Sequence, residues 1–313
     1  MQIISIINYK GGVGKTTITA NLAAELAFRG KSILAIDLDP QASLTFSFYS
    51  VDDWKDKFEA TKTIKNWYDA FIENDTDLSL QSLIASPAKV NSMLKGRLDL
   101  VCSHLALINV DLALATKLGG FSVKELRNNF LRVHGRLRQG LESLGRDAYD
   151  YVLIDCPPNF NIVTKTAIVA SDCLLIPTKP DYLSTLGIEH LKKHFEDFVR
   201  KYNEYVEDSK GPECRLANAE ILGVVFTMIQ MHNQEPILTQ RQYIAHVRRL
   251  GLPCLNTYIR ENKTSYGGAA ESGIPLVLQQ AYGQTCLQVQ DELERLTSEV
   301  LSLTSEVLSK VVA

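Results

Sequence analysis

The chain has 313 residues, of which 45% are apolar, and a formal net charge of -3. These values are typical of a globular protein with enough core for one large α/β domain or two small ones. No segment approaches the roughly 18 to 20 consecutive apolar residues of a membrane span, so we expect a cytoplasmic protein without stable membrane anchoring. Six widely spaced cysteines form no CxxC pair, which argues against a zinc site or a disulfide framework.

Six short apolar runs rich in β-branched residues predict strands that are buried on both faces. They are IISIIN (3–8), SILAIDLD (32–39), LDLVCS (98–103), YVLIDCP (151–157), DCLLIPT (172–178) and ILGVVFTMI (221–229). Five segments with helical periodicity lie between or after them, at 16–30, 123–145, 163–171, 186–206 and 239–251. Strands that alternate with helices indicate an α/β fold, with a mostly parallel twisted sheet and helices on both faces.

Two segments depart from this alternation. Residues 50–97 are helical, charged and aromatic in character, and we interpret them as a helical insertion within a single domain spanning 1–313. Near the end of the chain, LTSEVLS at 296–302 is repeated at 303–309 within a predicted amphipathic helix at about 285–312. The apolar seam of this helix should pack on the body of the protein or on a partner helix. Its members are Leu293, Leu296, Val300, Leu303 and Val307.

The stretch NYKGGVGKTT (8–17) joins the first predicted strand to the first predicted helix. Backbone N–H groups that converge at such a helix N-terminus form an anion site, and glycines allow a phosphate to approach closely. Lys15 would neutralise the β and γ phosphates, and the Thr16 hydroxyl could ligate Mg²⁺. The usual loop GxxxxGK[ST] has a glycine where Tyr9 stands, and Lys10 is an additional cation. The predicted cradle consists of Gly11, Gly12, Val13 and Gly14.

Carboxylates at the ends of two predicted strands fit the same site. Asp155 ends the apolar run YVLID, where it could hold a Mg²⁺-bound water. Asp37 and Asp39 are two residues apart at a strand end, which predicts that both carboxylates lie on one side of the pleat. Paired carboxylates beside a phosphate site repel each other unless a cation or a polarised water lies between them.

The ordered motifs KGGVGKTT, DLDPQAS and VLIDCPP resemble those of the deviant Walker-A ATPases of the ParA/MinD class, and most closely ParA. The resemblance runs along most of the chain and also includes RLDLVCSHLAL, LIPTKPDYLSTLGIEHL and TYIRENKTSYGGAAESGIPLV. It implies a P-loop NTPase fold, ATP and Mg²⁺ as cofactors, and hydrolysis of ATP to ADP and phosphate. IREN at 259–262 departs from the IPRN of many relatives, so a proline contact to adenine is absent.

The resemblance also implies roles for individual residues. Lys10 matches the signature lysine that reaches the partner subunit's phosphates, so that ATP is sandwiched in a dimer. Asp39 matches the residue that positions the attacking water, Asp37 supports the Mg²⁺ site, and Asp155 is the Walker-B carboxylate. Thr17 is expected near the α-phosphate. Near the base we place Met228 and Arg260.

The partners implied by the resemblance are a second copy of the chain in the ATP state, non-specific DNA and an adaptor of the ParB type. Such proteins associate with the nucleoid and move a plasmid, a chromosome origin or a large protein assembly. Because the net charge is slightly acidic, DNA contact needs a local basic patch. The candidate contacts are Arg241, Arg248, Arg249, Lys192 and Lys193. Since the chain begins at its first strand, we expect no N-terminal helix-turn-helix extension.

Other functions of this loop type were weighed against the sequence. A DNA-independent or membrane-associated MinD-like switch is the main alternative, although residues 291–313 contain five acidic and two basic residues, which disfavours anionic lipid. An iron–sulfur protein would need Cys102 or Cys156 in loops at a dimer axis, and both lie on predicted strands. A tyrosine kinase would carry a tyrosine-rich tail. A synthetase that uses ATP for amide chemistry stays open.

Overall fold

The computed structural model describes residues 1–73, 78–209, 215–233 and 235–312. Seven parallel strands form its main sheet, in the order β3-β2-β4-β1-β5-β6-β9. They are β1 (Gln2–Ile6), β2 (Ser32–Asp37), β3 (Arg97–Val101), β4 (Tyr151–Asp155), β5 (Cys173–Thr178), β6 (Glu220–Ile229) and β9 (Cys254–Arg260). A small antiparallel pair, β7 (Met231–His232) and β8 (Glu235–Pro236), follows β6. The α/β fold with a parallel sheet is therefore confirmed.

Helices cover both faces of the sheet. They are α1 (Lys15–Phe28), α2 (Ser43–Phe46), α3 (Val51–Lys57), α4 (Ile64–Glu73), α5 (Ala88–Asn91), α6 (Ile108–Thr116), α7 (Val123–Glu142), α8 (Ile162–Ala170), α9 (Tyr182–Ser209), α10 (Leu238–Arg249), α11 (Lys263–Ser272) and α12 (Gln284–Val312). Alternate strand residues point to opposite faces, so β1 sends Ile3 into one core and Ile4 into the other. Helices α7 to α10 cover the first core, and α1 with α12 covers the second. Among the described residues, no helix combines the length and the apolar character that spanning a membrane requires.

The strand order creates a crevice between β1 and β4. Helix α1, which follows β1, packs on one face of the sheet, and helix α8, which follows β4, packs on the opposite face. Connections that diverge in this way open a space at the carboxyl ends of parallel strands, which is where ligands bind in such sheets. The loop after β1 and the last residue of β4, Asp155, both lie at this edge.

Strands β1 to β4 end two residues earlier than the apolar runs predict, whereas β5 and β6 end at the predicted residue. For β2 and β4 the reasons are local. β2 ends at Asp37 because the Asp37 carboxylate accepts the N–H of Asp39 and turns the chain out of the sheet. β4 ends at Asp155 ahead of two prolines, which have no N–H to donate to a sheet. Strand β9 and helices α6 and α11 were not predicted from the sequence. β9 is an edge strand with a mixed sequence, CLNTYIR, in which polar residues interrupt the apolar ones, so it lacks the apolar run that identifies the other strands of the main sheet.

The region 50–97 contains α3, α4 and α5, and its helix α4 packs into the main core through Trp67 and Tyr68. The Tyr68 hydroxyl lies 2.7 Å from the Thr166 hydroxyl of α8. Near the end of the chain, α12 packs on α1 and β9, with Leu293, Leu296 and Val300 buried. The apolar seam of this helix therefore packs on the body of the protein, and the second LTSEVLS copy continues it with partly buried residues.

Candidate phosphate-binding site

The loop between β1 and α1 has the backbone geometry of an anion cradle. Gly12 and Gly14 have φ angles of 69° and 85°, in the left-handed region that favours glycine. Gly14 is also the N-cap of α1, and it has no side chain that could accept a hydrogen bond from the first turn of this helix. The N–H groups of that turn are thus available to an anion. The loop is tied to β6, because Thr227 donates a hydrogen bond to the Val13 carbonyl over 2.8 Å.

Lys15 stands at the centre of this cradle. It is buried, and burial lowers the pKa of its ammonium group while Asp155 and Asp39 act in the opposite direction. Its Nζ atom donates to the carbonyl oxygen of Lys10 over 3.2 Å. Because this cation is held inside the loop by a single neutral acceptor, phosphate oxygens can replace that acceptor at little cost.

Thr16 and Asp155 form a direct pair across the crevice. The Thr16 hydroxyl donates to Asp155 Oδ2 over 2.7 Å, and the Thr19 hydroxyl donates to Asp155 Oδ1 over 3.4 Å. Burial raises the pKa of Asp155 to about 7, although the bond from Thr16 acts against this shift. A buried carboxylate beside a hydroxyl is a suitable oxygen donor set for a magnesium ion and its water ligands.

Asp37 and Asp39 do not share one face of a strand, contrary to the prediction, because β2 ends at Asp37. The Asp37 carboxylate is fully buried and accepts both the N–H and the hydroxyl of Thr45 over 2.8 Å. Burial raises the pKa of Asp37 well above its usual range, and the neighbouring Asp155 adds to this. Asp39, by contrast, lies beyond the strand and lines the cavity over the loop. The two aspartates therefore differ in access to a ligand.

A cavity of about 480 Å³ lies over the loop, and a second one of about 240 Å³ adjoins it. Gly11, Gly12, Gly14, Lys15, Thr16, Thr17 and Asp39 line the first. Met228 lines both, and Arg260 lines the second. The guanidinium of Arg260 is bonded to Glu292 on α12, with Nε and Oε1 2.7 Å apart, so that its charge is already neutralised. The second cavity has the position of a pocket for a base attached to the phosphates.

The two loop residues that break the usual pattern both contact α9. Tyr9 stacks edge-on against Phe160, and its hydroxyl lies 2.5 Å from His194 Nδ1. Burial raises the pKa of Tyr9 to about 12, so the phenol remains protonated and can donate to the imidazole. Lys10 forms an ion pair with Asp181, with 2.9 Å between Nζ and Oδ2.

The candidate DNA contacts are partly brought together. Lys192 on α9 donates to the carbonyl of Leu250 at the end of α10, which places it beside Arg248 and Arg249. Lys193 is exposed next to it. Arg241 lies at the other end of α10 and is paired with Glu235, 2.8 Å apart. We call Lys192, Lys193, Arg248 and Arg249 the α9–α10 basic patch.

Several residues at the site escaped the sequence analysis. Thr45 holds Asp37, Asp181 holds Lys10, and Tyr266 lines both cavities. Asp181 carries a detectable signal, since an aspartate before a helical segment predicts an N-cap. Thr45 and Tyr266 carry none, because Thr45 reaches Asp37 only through the turn after β2, and Tyr266 reaches the cavities from a segment far along the chain.

The chain matches one protein-family model and several relatives of known sequence. The AAA_31 family, described as an AAA domain, matches residues 1–207. An uncharacterized protein of Methanocaldococcus jannaschii, MJECL24, is 30% identical over 75% of this chain and 88% of its own length. The chromosome partitioning protein ParA of Caulobacter vibrioides is 29% identical over 74% and 72%, respectively. The sporulation initiation inhibitor protein Soj of Bacillus subtilis is 30% identical over 60% of this chain and 63% of its own length.

Solved structures show the same fold at low sequence identity. A complex of Cyanothece McdA with ATP superposes with a TM-score of 0.68 and 22% identity over 96% of each chain. A putative plasmid partition protein of Borrelia burgdorferi bound to AMPPNP gives a TM-score of 0.61 with 22% identity, over 97% of this chain and 98% of that one. The chain belongs to the AAA_31 family and, within it, to the partition ATPases of the ParA type.

Proposed function

We propose that the protein is an ATP-dependent dimerising ATPase that binds DNA non-specifically in its ATP state and positions a cargo. The observation that carries the proposal is the convergence of the glycine loop, Lys15, the Thr16–Asp155 pair and Asp39 around one cavity. Relatives described as partition proteins, and structural neighbours in complex with ATP or an ATP analogue, support it.

In this proposal each residue has a defined task. The loop N–H groups and Lys15 hold the phosphates, Thr17 lies at the α-phosphate, and Thr16 with Asp155 holds Mg²⁺. Bound ATP would supply the phosphoryl group, and Mg²⁺ would supply positive charge that offsets the negative charge on the transferred group. Asp39 orients the attacking water. The Asp37 carboxylate holds the turn that carries Asp39, because it accepts the N–H groups of Asp39 and Thr45. Lys10 acts on the developing negative charge, the task of an arginine finger in related chemistry.

The cycle that follows is a switch. ATP binding permits dimerisation, the dimer binds DNA through the α9–α10 basic patch, and a ParB-type adaptor stimulates hydrolysis and release at the nucleoid. The cargo would be a plasmid, a chromosome origin or a large protein assembly. A DNA-independent or membrane-associated switch of the MinD type is the competing function, and the excess of acidic over basic residues at 291–313 disfavours its membrane-bound form.

The ATP switch is tested with variants of Lys15 and Asp39. The purified protein should change from monomer to dimer on addition of ATP and Mg²⁺, and Lys15→Ala should stay monomeric because the phosphates lose their buried cation. Asp39→Ala should form the dimer but hydrolyse ATP about 10²-fold more slowly or worse. Light scattering measures assembly, and phosphate release measures turnover.

Lys55→Ala, an exposed change on α3, is the matched control and should behave as the unmodified protein. If Asp39→Ala retains full turnover and stays monomeric with ATP, the proposed mechanism is wrong.

A further inference from the structure

The ammonium group of Lys10 is fully occupied by contacts within its own chain. Nζ lies 2.9 Å from both carboxylate oxygens of Asp181 and 3.0 Å from the hydroxyl oxygen of Ser184. A lysine ammonium has three N–H donors, and these three acceptors match them. All three oxygens belong to the start of α9, whereas the neighbouring residue Gly11 faces the cavity over the loop. Lys10 therefore has to leave Asp181 before it can bind a phosphate.

Asp181 is itself held in place by the helix that it begins. Its Oδ1 atom accepts the N–H of Ser184 over 2.8 Å, which is an N-cap contact, and the Thr185 N–H bonds to the Asp181 carbonyl over 3.0 Å. Partial burial alone would raise the pKa of Asp181, but the hydrogen bonds from Lys10 and Ser184 lower it on balance. The carboxylate is thus ionised and oriented while it holds Lys10.

A second contact fixes the same pair of segments. The Tyr9 hydroxyl lies 2.5 Å from His194 Nδ1, and His194 lies about three and a half helical turns beyond Asp181 along α9. Two consecutive loop residues are thus bonded to two points on one helix. Without nucleotide, these two contacts hold the loop against α9. The direction of the Lys10 side chain therefore depends on how the loop and α9 are packed together.

We propose that Asp181 is a positioning residue that restrains Lys10 away from phosphate, so that nucleotide must compete with Asp181 for this lysine. The inference rests on the proposed function, in which Lys10 acts on ATP. The restraint is weak enough to be reversed, because the two side chains are 35% and 33% exposed and exposed pairs of this kind shift equilibria by at most about fivefold. The more highly charged triphosphate can therefore displace the carboxylate and release Lys10.

Asp181→Asn separates the restraint from the helix cap. Asparagine caps a helix as well as aspartate does, so α9 should be retained and the melting temperature should change by only a few degrees, while the charge that holds Lys10 is lost. The ATP concentration for half-maximal dimerisation should then fall by about two- to fivefold. Ser184→Ala removes one of the three acceptors and leaves the charge, so its effect should have the same direction and be smaller.

The contact itself is measured without nucleotide. In the full-length protein, the rate at which an amine-reactive ester acylates Lys10, followed by peptide mass spectrometry, should rise in Asp181→Asn, while acylation of the exposed Lys55 should not change. A double-mutant comparison then assigns the effect to the pair: ATP affinity should respond to Asp181→Asn in the unmodified background and not in a Lys10→Ala background.

These measurements distinguish the two hypotheses. If Asp181→Asn exposes Lys10 to acylation but the parent protein neither binds ATP nor dimerises with it, the proposed function fails, and competition with nucleotide fails with it. If the parent protein responds to ATP and Asp181→Asn needs the same or more ATP, the restraint is refuted while the function stands. An equal response in the Lys10→Ala background would also refute the restraint.

Discussion

His134 is a histidine enclosed by aromatic rings in the interface of α7 and α9. It is 1% exposed, its ring centroid lies 4.2 Å from that of Phe130 and 5.3 Å from that of Phe198, and its Nδ1 lies 2.8 Å from the Phe130 carbonyl. Burial lowers the pKa of His134 to about 4, and Lys165 and Lys201 nearby add to this. The folded protein therefore keeps the imidazole neutral in mildly acidic solution.

This burial predicts an acid-sensitive stability. Below the usual histidine pKa of about 6.5, the unfolded chain binds a proton that the folded chain does not. The contribution is fully present above about pH 6.5 and is lost as the pH falls towards 4, with a loss of about 2 kcal/mol by pH 5. His134→Phe should remove this loss of unfolding free energy at acidic pH. Denaturant titrations at about pH 7.5 and about pH 5 measure the loss.

The exposed His190→Gln is the control and should retain the full acid loss. The readout is the difference between the two pH values, so a change in packing that lowers stability equally at both does not affect it. An undiminished loss in His134→Phe would assign the acid sensitivity to other groups.

Among the secondary-structure elements, α4 and α7 approach each other at a glycine. A Cβ atom built on Gly140 would lie 2.6 Å from Trp67 Cζ2, and Trp67 is 1% exposed. Such a distance is sterically forbidden, so either the indole or the helix would have to shift. The region 50–97 is thus packed against the sheet-covering helices through a contact that only glycine permits at this position.

Gly140→Ala should therefore lower the free energy of unfolding by about 1 to 3 kcal/mol, despite the better helix propensity of alanine. Gly187→Ala in α9 is the matched change, because a Cβ atom there meets nothing within 4 Å. It should raise stability by about 0.5 to 1 kcal/mol. Urea unfolding of the nucleotide-free protein measures both. Equal effects of the two substitutions would show that the α4–α7 approach is adaptable.

For the molecule as a whole, the question is how a protein with net charge -3 could bind DNA. Some of its cationic side chains form ion pairs within the chain, and others do not. In the ranges that the structure describes, no ion pair involves Lys193 or Arg249, whereas Arg241 is bonded to Glu235 and the pair is 2.8 Å apart. The α9–α10 basic patch therefore contains two cations whose charge no ion pair within the described residues neutralises.

We expect an arbitrary DNA duplex to bind in the presence of ATP, with an affinity that falls steeply with salt. Lys193→Ala with Arg249→Ala should weaken this binding and reduce the salt slope by about one unit for each phosphate that is no longer neutralised. Arg241→Ala, which removes a paired cation, is the control. A shift that ignores ATP, or no binding at low salt, would contradict the DNA step and favour a DNA-independent switch.

What sequence reasoning could predict depended on the span of the interaction. The glycine loop and the start of α1 lie within residues 8–17, and backbone conformation over such a span follows from glycine φ angles and helix capping. The inner strands were identified because both of their faces are buried, and such burial requires a nearly continuous apolar run in the sequence. The edge strand β9 shares neither feature, which is why it was missed.

The parallel sheet, the anion cradle and the cation at its centre could be predicted from the sequence, since each depends on residues close in the chain or on burial of whole segments. The different environments of Asp37 and Asp39, the direction of Lys10 and the shape of the second cavity became visible only in the folded protein. Lys10 and Asp181 are 171 positions apart. Thr45 binds Asp37 after a turn out of the sheet, where the alternation of side chains along a strand no longer applies. The physical reason is that such contacts depend on where the packed helices place their ends.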